Sequence, residues 1–246
     1  MKKILILIYG ILAYLIFLSS FLYAIGFVGG YLVPKSINDG TSTSFMYALI
    51  VNLLLLSLFA IQHGIMARPA YKKWIAPVIG PAIERSTFVL FASLILLLLF
   101  WQWQPMTANI WNFENELIQY LFIGLSLFGW LVVLVSTFLI DHLELVGLKQ
   151  VYNNLTNKQT ANPKFITRFL YKISRHPMML GFIIAFWSTP HMTAGHLLFA
   201  IVTTLYIFIA VKYLEEKDLR KDIGKPYEEY QKNVPMIIPF TKNRKR

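Results

Sequence analysis

Long apolar runs separated by short polar stretches dominate the chain. The first, Ile4 to Val33, has only Ser19 and Ser20 as strongly polar interruptions. At about 1.5 Å per helical residue it exceeds a hydrocarbon core of about 30 Å, so it predicts one crossing that tilts or runs past the interface. It follows Lys2-Lys3 as a secretory leader would, but it lacks a small-x-small cleavage site at the usual place and reads as a retained anchor. Further spans are predicted over Phe45 to Met66, Ser86 to Trp103, Leu117 to Ile140 and His196 to Leu214. Pro34 to Ser44 is a turn-rich loop, and Arg68 to Arg85 is a basic, proline-containing loop whose Tyr71 and Trp74 suit the membrane interface. Gly147 to Ser174 is the longest polar stretch, with a short amphipathic helix predicted over Phe165 to Ile173. The apolar run after Pro177 ends near Ser188, too short for a full crossing, which predicts a half-buried arm of a hairpin turned at Thr189-Pro190.

The expected fold is therefore all-α: a polytopic integral membrane helical bundle of five to six transmembrane helices, the last two forming a hairpin. A single membrane domain spans residues 1–246, with a four-span frame over 1–140 and a cytoplasm-facing, cofactor-binding half over 141–240. A 57% hydrophobic content with 14% charge over 246 residues fits that class. The net charge of +11 does not point to nucleic acid. Of the 23 Lys and Arg residues, all but Lys35 precede the first apolar run or fall in alternate loops and the tail. That is a topology signal placing both termini in the cytoplasm, in a bacterial cell the cytoplasmic side of the inner membrane. With no cysteine, disulfides, thiolate metal sites and cysteine nucleophiles are excluded.

The same loop assignment collects chemistry at one membrane face. Gln62-His63 end the second span, Asp141-His142 follow the fourth, Arg175-His176-Pro177 open the short arm, and Glu215-Glu216 close the last span. Two readings of Gln62 and His63 stand side by side: hydrogen bonding across helices, or a site, since polar groups within spans are costly. Pro177 suits the first position of a helix, so Arg175 and His176 sit at a helix N-terminus, where N–H groups and a guanidinium favour an anion. Two carboxylates some 40 residues on suit a ribose diol or an ammonium. Together these predict a cytoplasm-facing site for a small anionic or zwitterionic ligand.

Arg175-His176-Pro177-x-x-Leu180-Gly181, then Glu215-Glu216, then Gly224-x-x-Tyr227-x-x-Tyr230-x-x-x-Val234-Pro235 resembles the cofactor-binding half of the isoprenylcysteine carboxyl methyltransferase and phospholipid methyltransferase superfamily. The resemblance implies that Arg175, His176, Leu180, Gly181, Glu215 and Glu216 enclose S-adenosylmethionine. A closer resemblance runs from about residue 60 to 240. Gln62-His63-x-x-Met66-Ala67-Arg68-Pro69, Glu84-Arg85-Ser86-Thr87, Phe100-Trp101-x-Trp103, Ser136-Thr137-Phe138-Leu139-Ile140-Asp141-His142 and Ala185-Phe186-Trp187-x-Thr189-Pro190 look like the methanethiol S-methyltransferase family, which is related to NnrU-like membrane proteins. The implied activity is conversion of methanethiol to dimethyl sulfide. Where these families commonly carry a tyrosine after Arg-His-Pro-x, this chain has Met179, so that either another tyrosine, such as Tyr206, Tyr213 or Tyr227, supplies the contact or cofactor affinity is lower.

Such a reaction needs the thiol as its thiolate. His63 and His142 are candidate bases, Asp141 the orienter of an imidazole, and Gln62 and Arg68 substrate residues, with Arg68 supplying positive potential. No metal is called for. The expected partners are a small thiol and membrane lipid. Methylation of another lipophilic acceptor, such as a lipid amine or a prenylated carboxylate, is the alternative among enzymes. A non-enzymatic heme or metal protein using His63 and His142 is the alternative outside them.

Overall fold

The computed structural model describes residues 1–158, 165 and 167–241. In chain order its elements are α1 (Lys2–Gly29), α2 (Phe45–Met66), α3 (Pro69–Ile79), α4 (Glu84–Gln102), β1 (Asn109–Asn112), α5 (Glu116–Ile140), α6 (His142–Leu145) and α7 (Leu148–Thr156). Then come α8 (Pro177–Trp187), β2 (His191–Thr193), α9 (Ala194–Ile209), α10 (Glu216–Ile223) and α11 (Lys225–Asn233). Among the described residues five helices are long and apolar enough to cross a membrane: α1, α2, α4, α5 and the continuous rod Ala194–Ile223. The protein is a polytopic helical membrane protein. Leu5, Leu12 and Leu22 of α1 and Leu117, Leu121 and Phe128 of α5 stand exposed, surface suited to hydrocarbon rather than water.

Three stretches depart from the sequence expectation. The basic stretch after Arg68 is helical as α3, with Pro69 in its first turn, where a missing N–H costs nothing. The polar stretch after Gly147 holds α7, because Leu148, Val151 and Leu155 recur at i, i+3 and i+7 despite the surrounding Asn and Lys. The helix expected over Phe165 to Ile173 is replaced, in its described part, by a single 3₁₀ turn, Phe169–Lys172. Phe169 there takes a φ of 56°, through which an α-helix cannot continue. Residue 166 of that expected helix lies outside the described residues.

The chain divides into two compact units, one of Met1–Ile110, Asp141–Asn162 and Met192–Phe199, the other of Trp111–Ile140, Pro163–His191 and Ala200–Arg246. In the first, α1 packs on α4 and α7, and α2 packs on α4. Gly10 makes the approach of α7 possible, since a Cβ there would lie 2.6 Å from a Val151 methyl. Lys35 Nζ donates to the carbonyls of Trp101 and Trp103 at 2.7 and 2.8 Å, closing the C-terminus of α4. Asn52, buried in the middle of α2, exchanges two hydrogen bonds with the Gln104 backbone at 2.8 and 2.9 Å. That is how a span tolerates an amide.

In the second unit α5 packs along α8. A Cβ on Gly129 would meet the Ala185 nitrogen at 2.6 Å and one on Gly181 would meet the Gly129 carbonyl at 2.6 Å, so these two positions let the backbones touch. Ser126 adds a hydrogen bond to the Ala185 carbonyl at 3.1 Å. At about 1.5 Å per residue α8 is roughly 16 Å long, half a bilayer core. Its return arm is pinned to it by Trp187 Nε1 donating to Thr204 Oγ1 at 2.9 Å, which completes the expected hairpin.

Candidate functional site

Of the residues the sequence singles out, Arg175, His176, Leu180, Gly181, Glu215 and Glu216 fall in the second unit and Gln62, His63, Arg68, Asp141 and His142 in the first. Each set has its own geometry.

The second unit is organised around one carboxylate. Rod Ala194–Ile223 is interrupted by a π-helical turn, Ala210–Glu215, whose wider winding shifts the face presented by the residues after it. Glu216 is thereby buried while Glu215 keeps 43% of its side chain exposed. Glu216 accepts from Arg175 Nε at 2.8 Å and Nη2 at 3.1 Å, from His176 Nε2 at 2.8 Å, from Tyr227 Oη at 3.0 Å and from Gln231 Nε2. Arg175 Nη1 donates to the carbonyls of Gln231 and Val234, the unsatisfied C-terminal end of α11. Backbone bonds from Arg175 and His176 to the Pro235 and Met236 carbonyls, both 3.0 Å, hold the turn before Pro177 in place. Pro177 opens α8, as its sequence predicts.

This arrangement keeps both ends charged. Burial pulls the His176 imidazole down, but Glu215, 3.6 Å from Nδ1, and Glu216 outweigh it and hold the group at about 9, so it is an imidazolium at neutral pH. Burial and the Glu216 carboxylate push the Tyr227 phenol far up, so it stays a donor. Arg175, with a side chain only 7% exposed, is therefore spent on Glu216 and α11, and acts as an internal clamp rather than an open anion site. Leu180 packs in the apolar cluster of Ile207, Val211 and Ile237, which Met179 also joins, and Gly181 serves the contact with α5. Of the tyrosines considered in place of the hydroxyl that Met179 lacks, Tyr227 gives its own to Glu216.

Beside the carboxylate lies an open cavity of about 520 Å³ lined by Arg175, Lys212, Tyr213, Glu216, Arg220, Gln231 and Met236. Its size is that of a small-molecule site. Lys212, Arg220 and Gln231 were not singled out as site residues by the sequence. Gln231 could have been, because it lies four residues after Tyr227 on α11 and so shares its face.

In the first unit the candidates lie against aromatic rings. His63 stacks on Phe59 with centroids 5.3 Å apart and faces Phe88 at 5.0 Å. Gln62 Nε2 donates to Met66 Sδ at 3.0 Å, and Arg68 Nε to the Gly64 carbonyl at 3.2 Å. Met66, Phe88 and Val89 form a buried cluster on which Phe17, Ala67 and Tyr71 pack. His142 Nε2 lies 3.2 Å from the hydroxyl of Tyr14, a partner from α1 that hydropathy alone could not reveal. Burial lowers the His142 imidazole, with Asp141 opposing, which leaves it neutral at pH 7. Asp141 is committed elsewhere: it caps α6 by accepting from Glu144 N at 3.1 Å and pairs with Lys149 at 2.6 Å, which holds it below the usual carboxylate range. Lys149 also holds Glu144 at 2.7 Å. Among the described residues no three His, Asp or Glu side chains are grouped as metal ligands.

Residues 51–238 match the family described as NnrU protein. The chain belongs to the NnrU family. It is 52% identical over 98% of its length to methanethiol S-methyltransferase 1 of Bradyrhizobium diazoefficiens, covering 84% of that protein. It is 50% identical to methanethiol S-methyltransferase 2 of the same organism over 99% of the chain and 93% of that protein. The methanethiol S-methyltransferase of Crocosphaera subtropica is 46% identical over 98% of the chain and 94% of that protein. No solved structure matches this NnrU-family chain.

Proposed function

We propose that this NnrU-family protein is an integral membrane methyltransferase that carries the methyl group of S-adenosylmethionine to methanethiol, producing dimethyl sulfide, with its site on the cytoplasmic side of the inner membrane. The observation that carries the reading is identity of about half over nearly the whole chain to proteins named for that reaction. When bound, S-adenosylmethionine supplies a methyl group on a sulfonium sulfur. The second unit fits such a donor. Lys212 and Arg220 line the cavity where a carboxylate needs cations, and Tyr213 offers a ring face. The half-exposed Glu215 offers acceptors for a ribose diol or an ammonium. Arg175, His176, Tyr227 and Gln231 fix the Glu216 floor of that cavity rather than spending themselves on the ligand.

The first unit offers what a small thiol requires. Methanethiol is apolar apart from its sulfur, which suits the Phe88 and Met66 surroundings, where thioether and ring contacts favour a soft atom. It must lose a proton before its sulfur attacks well, and the imidazoles of His63 and His142 can accept it. Water exclusion by this apolar setting adds to the rate. Membranes containing the protein, given labelled S-adenosylmethionine and methanethiol, should release labelled dimethyl sulfide. Label in a lipid fraction instead of the headspace would refute the thiol assignment, and label in neither would refute methyl transfer.

A further inference from the structure

Arg85 belongs to the Glu84-Arg85-Ser86-Thr87 motif, yet neither the helix start it occupies nor the donor cavity accounts for it. It enters α4 at its second residue, half-buried. Its Nε donates to the Leu145 carbonyl at 2.6 Å, which ties it to the end of α6, the helix that carries His142. Its guanidinium carbon sits 4.9 Å above the centre of the Phe88 ring, the ring that His63 also faces at 5.0 Å. Its two terminal nitrogens have no hydrogen-bond acceptor among the described residues, and no carboxylate there lies within ion-pairing distance. A guanidinium carries five donors, so these nitrogens are able to hold an acceptor that arrives with a ligand.

We infer that Arg85 holds the substrate sulfur as a thiolate, over the Phe88 ring and beside His63. This rests on the proposed thiol methylation and names the residue that binds its acceptor. The charges around Arg85 suit the role. Glu144 of α6 pairs with Lys149 of α7, as does Asp141. Glu84 of α4 and Glu144 both act on Arg85 electrostatically, each from outside ion-pair distance, so neither takes its terminal nitrogens. His63, which faces the same ring, gains positive charge only by accepting a proton. In the step assigned to this site the S–H bond breaks and its electron pair stays on sulfur. The proton passes to the His63 imidazole, and the new anion is paired by the two terminal nitrogens of Arg85. Phe88 lies against both the guanidinium and the imidazole, a weak attraction for the guanidinium that also excludes water.

Thiolate absorbs in the ultraviolet where thiol does not, so ionisation of bound methanethiol can be titrated against pH with no methyl donor present. In the wild-type protein the bound thiol should ionise at a pH well below that of methanethiol in buffer; in Arg85→Gln the difference should vanish. In turnover, Arg85→Gln should lose on the order of 10- to 100-fold in kcat/KM for methanethiol at pH 7 and recover part of it as pH rises. Arg85→Lys should keep part of the ionisation shift. Because Arg85→Gln also loses the Leu145 bond and its fold is at risk, inhibition of the wild-type protein gives a second reading. Thiocyanate, a small soft anion, should compete with methanethiol. An unshifted titration in the wild type, an identical pH profile in Arg85→Gln, a loss confined to Arg68→Ala, or the absence of competition by thiocyanate would each overturn the assignment. Wild-type protein that methylates no thiol would overturn the functional reading as well, and is told apart by the headspace assay.

Discussion

The two candidate regions handle buried charge in opposite ways. In the second unit the buried charge is answered: Glu216 receives donors from four side chains, and Arg175 is spent on that carboxylate and two carbonyls. In the first, His63 and Arg85 lie against the Phe88 ring, and Lys149 pairs with Asp141 and Glu144. A saturated cage is rigid and suits the shape of a binding site. A guanidinium and an imidazole packed against one ring, with the guanidinium's terminal nitrogens unclaimed by any described acceptor, suit stabilising an anion that arrives with the substrate. The difference implies that substitutions in the second unit read out mainly as folding, and those in the first mainly as chemistry.

The largest expected effect is at Glu216. Glu216→Ala leaves Arg175 and the His176 imidazolium buried without their anion, a loss of about 3–5 kcal/mol. Thermal unfolding in detergent should report it, and a double substitution with Arg175→Ala should cost clearly less than the sum of the two singles. A wild-type melting temperature for Glu216→Ala would erase the contrast between the units. Next is the base: His63→Ala or His142→Ala should lower kcat by roughly 10²-fold with the melting temperature little changed. If His142 is the base, activity of the wild type should rise with pH along a limb at or below about 6.5, because burial lowers that imidazole. Normal kcat in both variants would remove general-base catalysis.

Smaller is the loss at Tyr227→Phe, where one hydrogen bond to a buried carboxylate disappears; about 1.5–3 kcal/mol of stability is expected, with Glu216 still held by Arg175. The smallest is a pH effect on the cage. The His176 imidazole is raised from 6.5 to about 9 in the folded state, so its stabilising contribution is complete below pH 6.5 and is lost as pH climbs through about 9. The melting temperature should fall over that window in the wild type and less steeply in His176→Gln. Equal slopes would mean that the imidazole is neutral in the cage.

Much of the frame was legible because hydropathy is a local property: α2 begins and ends where its apolar run does, and Pro177 opens α8 because a proline without an N–H belongs there. Residue roles were less legible. Arg175 at a helix N-terminus reads as an anion site, but the carboxylate 41 residues on and the end of α11 take its donors. Asp141 beside His142 reads as an orienter, but the cap of α6 and Lys149 claim it, while Tyr14, 128 residues away, holds the ring. Gly181, named as a ligand residue by resemblance, is where two backbones meet.

By itself the sequence determined that this chain lives in a membrane, where its apolar runs and hairpin lie, and which family it joins, because span length, apolar periodicity and motif spacing are written within short windows. Only the tertiary structure decided which of two adjacent glutamates is buried. A π-helical turn sets the face on which Glu216 emerges, and no propensity in Ala210–Glu215 announces it. It also decided that Arg175 spends its donors on a carboxylate and two carbonyls while the terminal nitrogens of Arg85 meet no described acceptor. That outcome depends on carbonyls and carboxylates brought in from elements far along the chain, and a guanidinium's partners follow from packing, not from its neighbours in sequence.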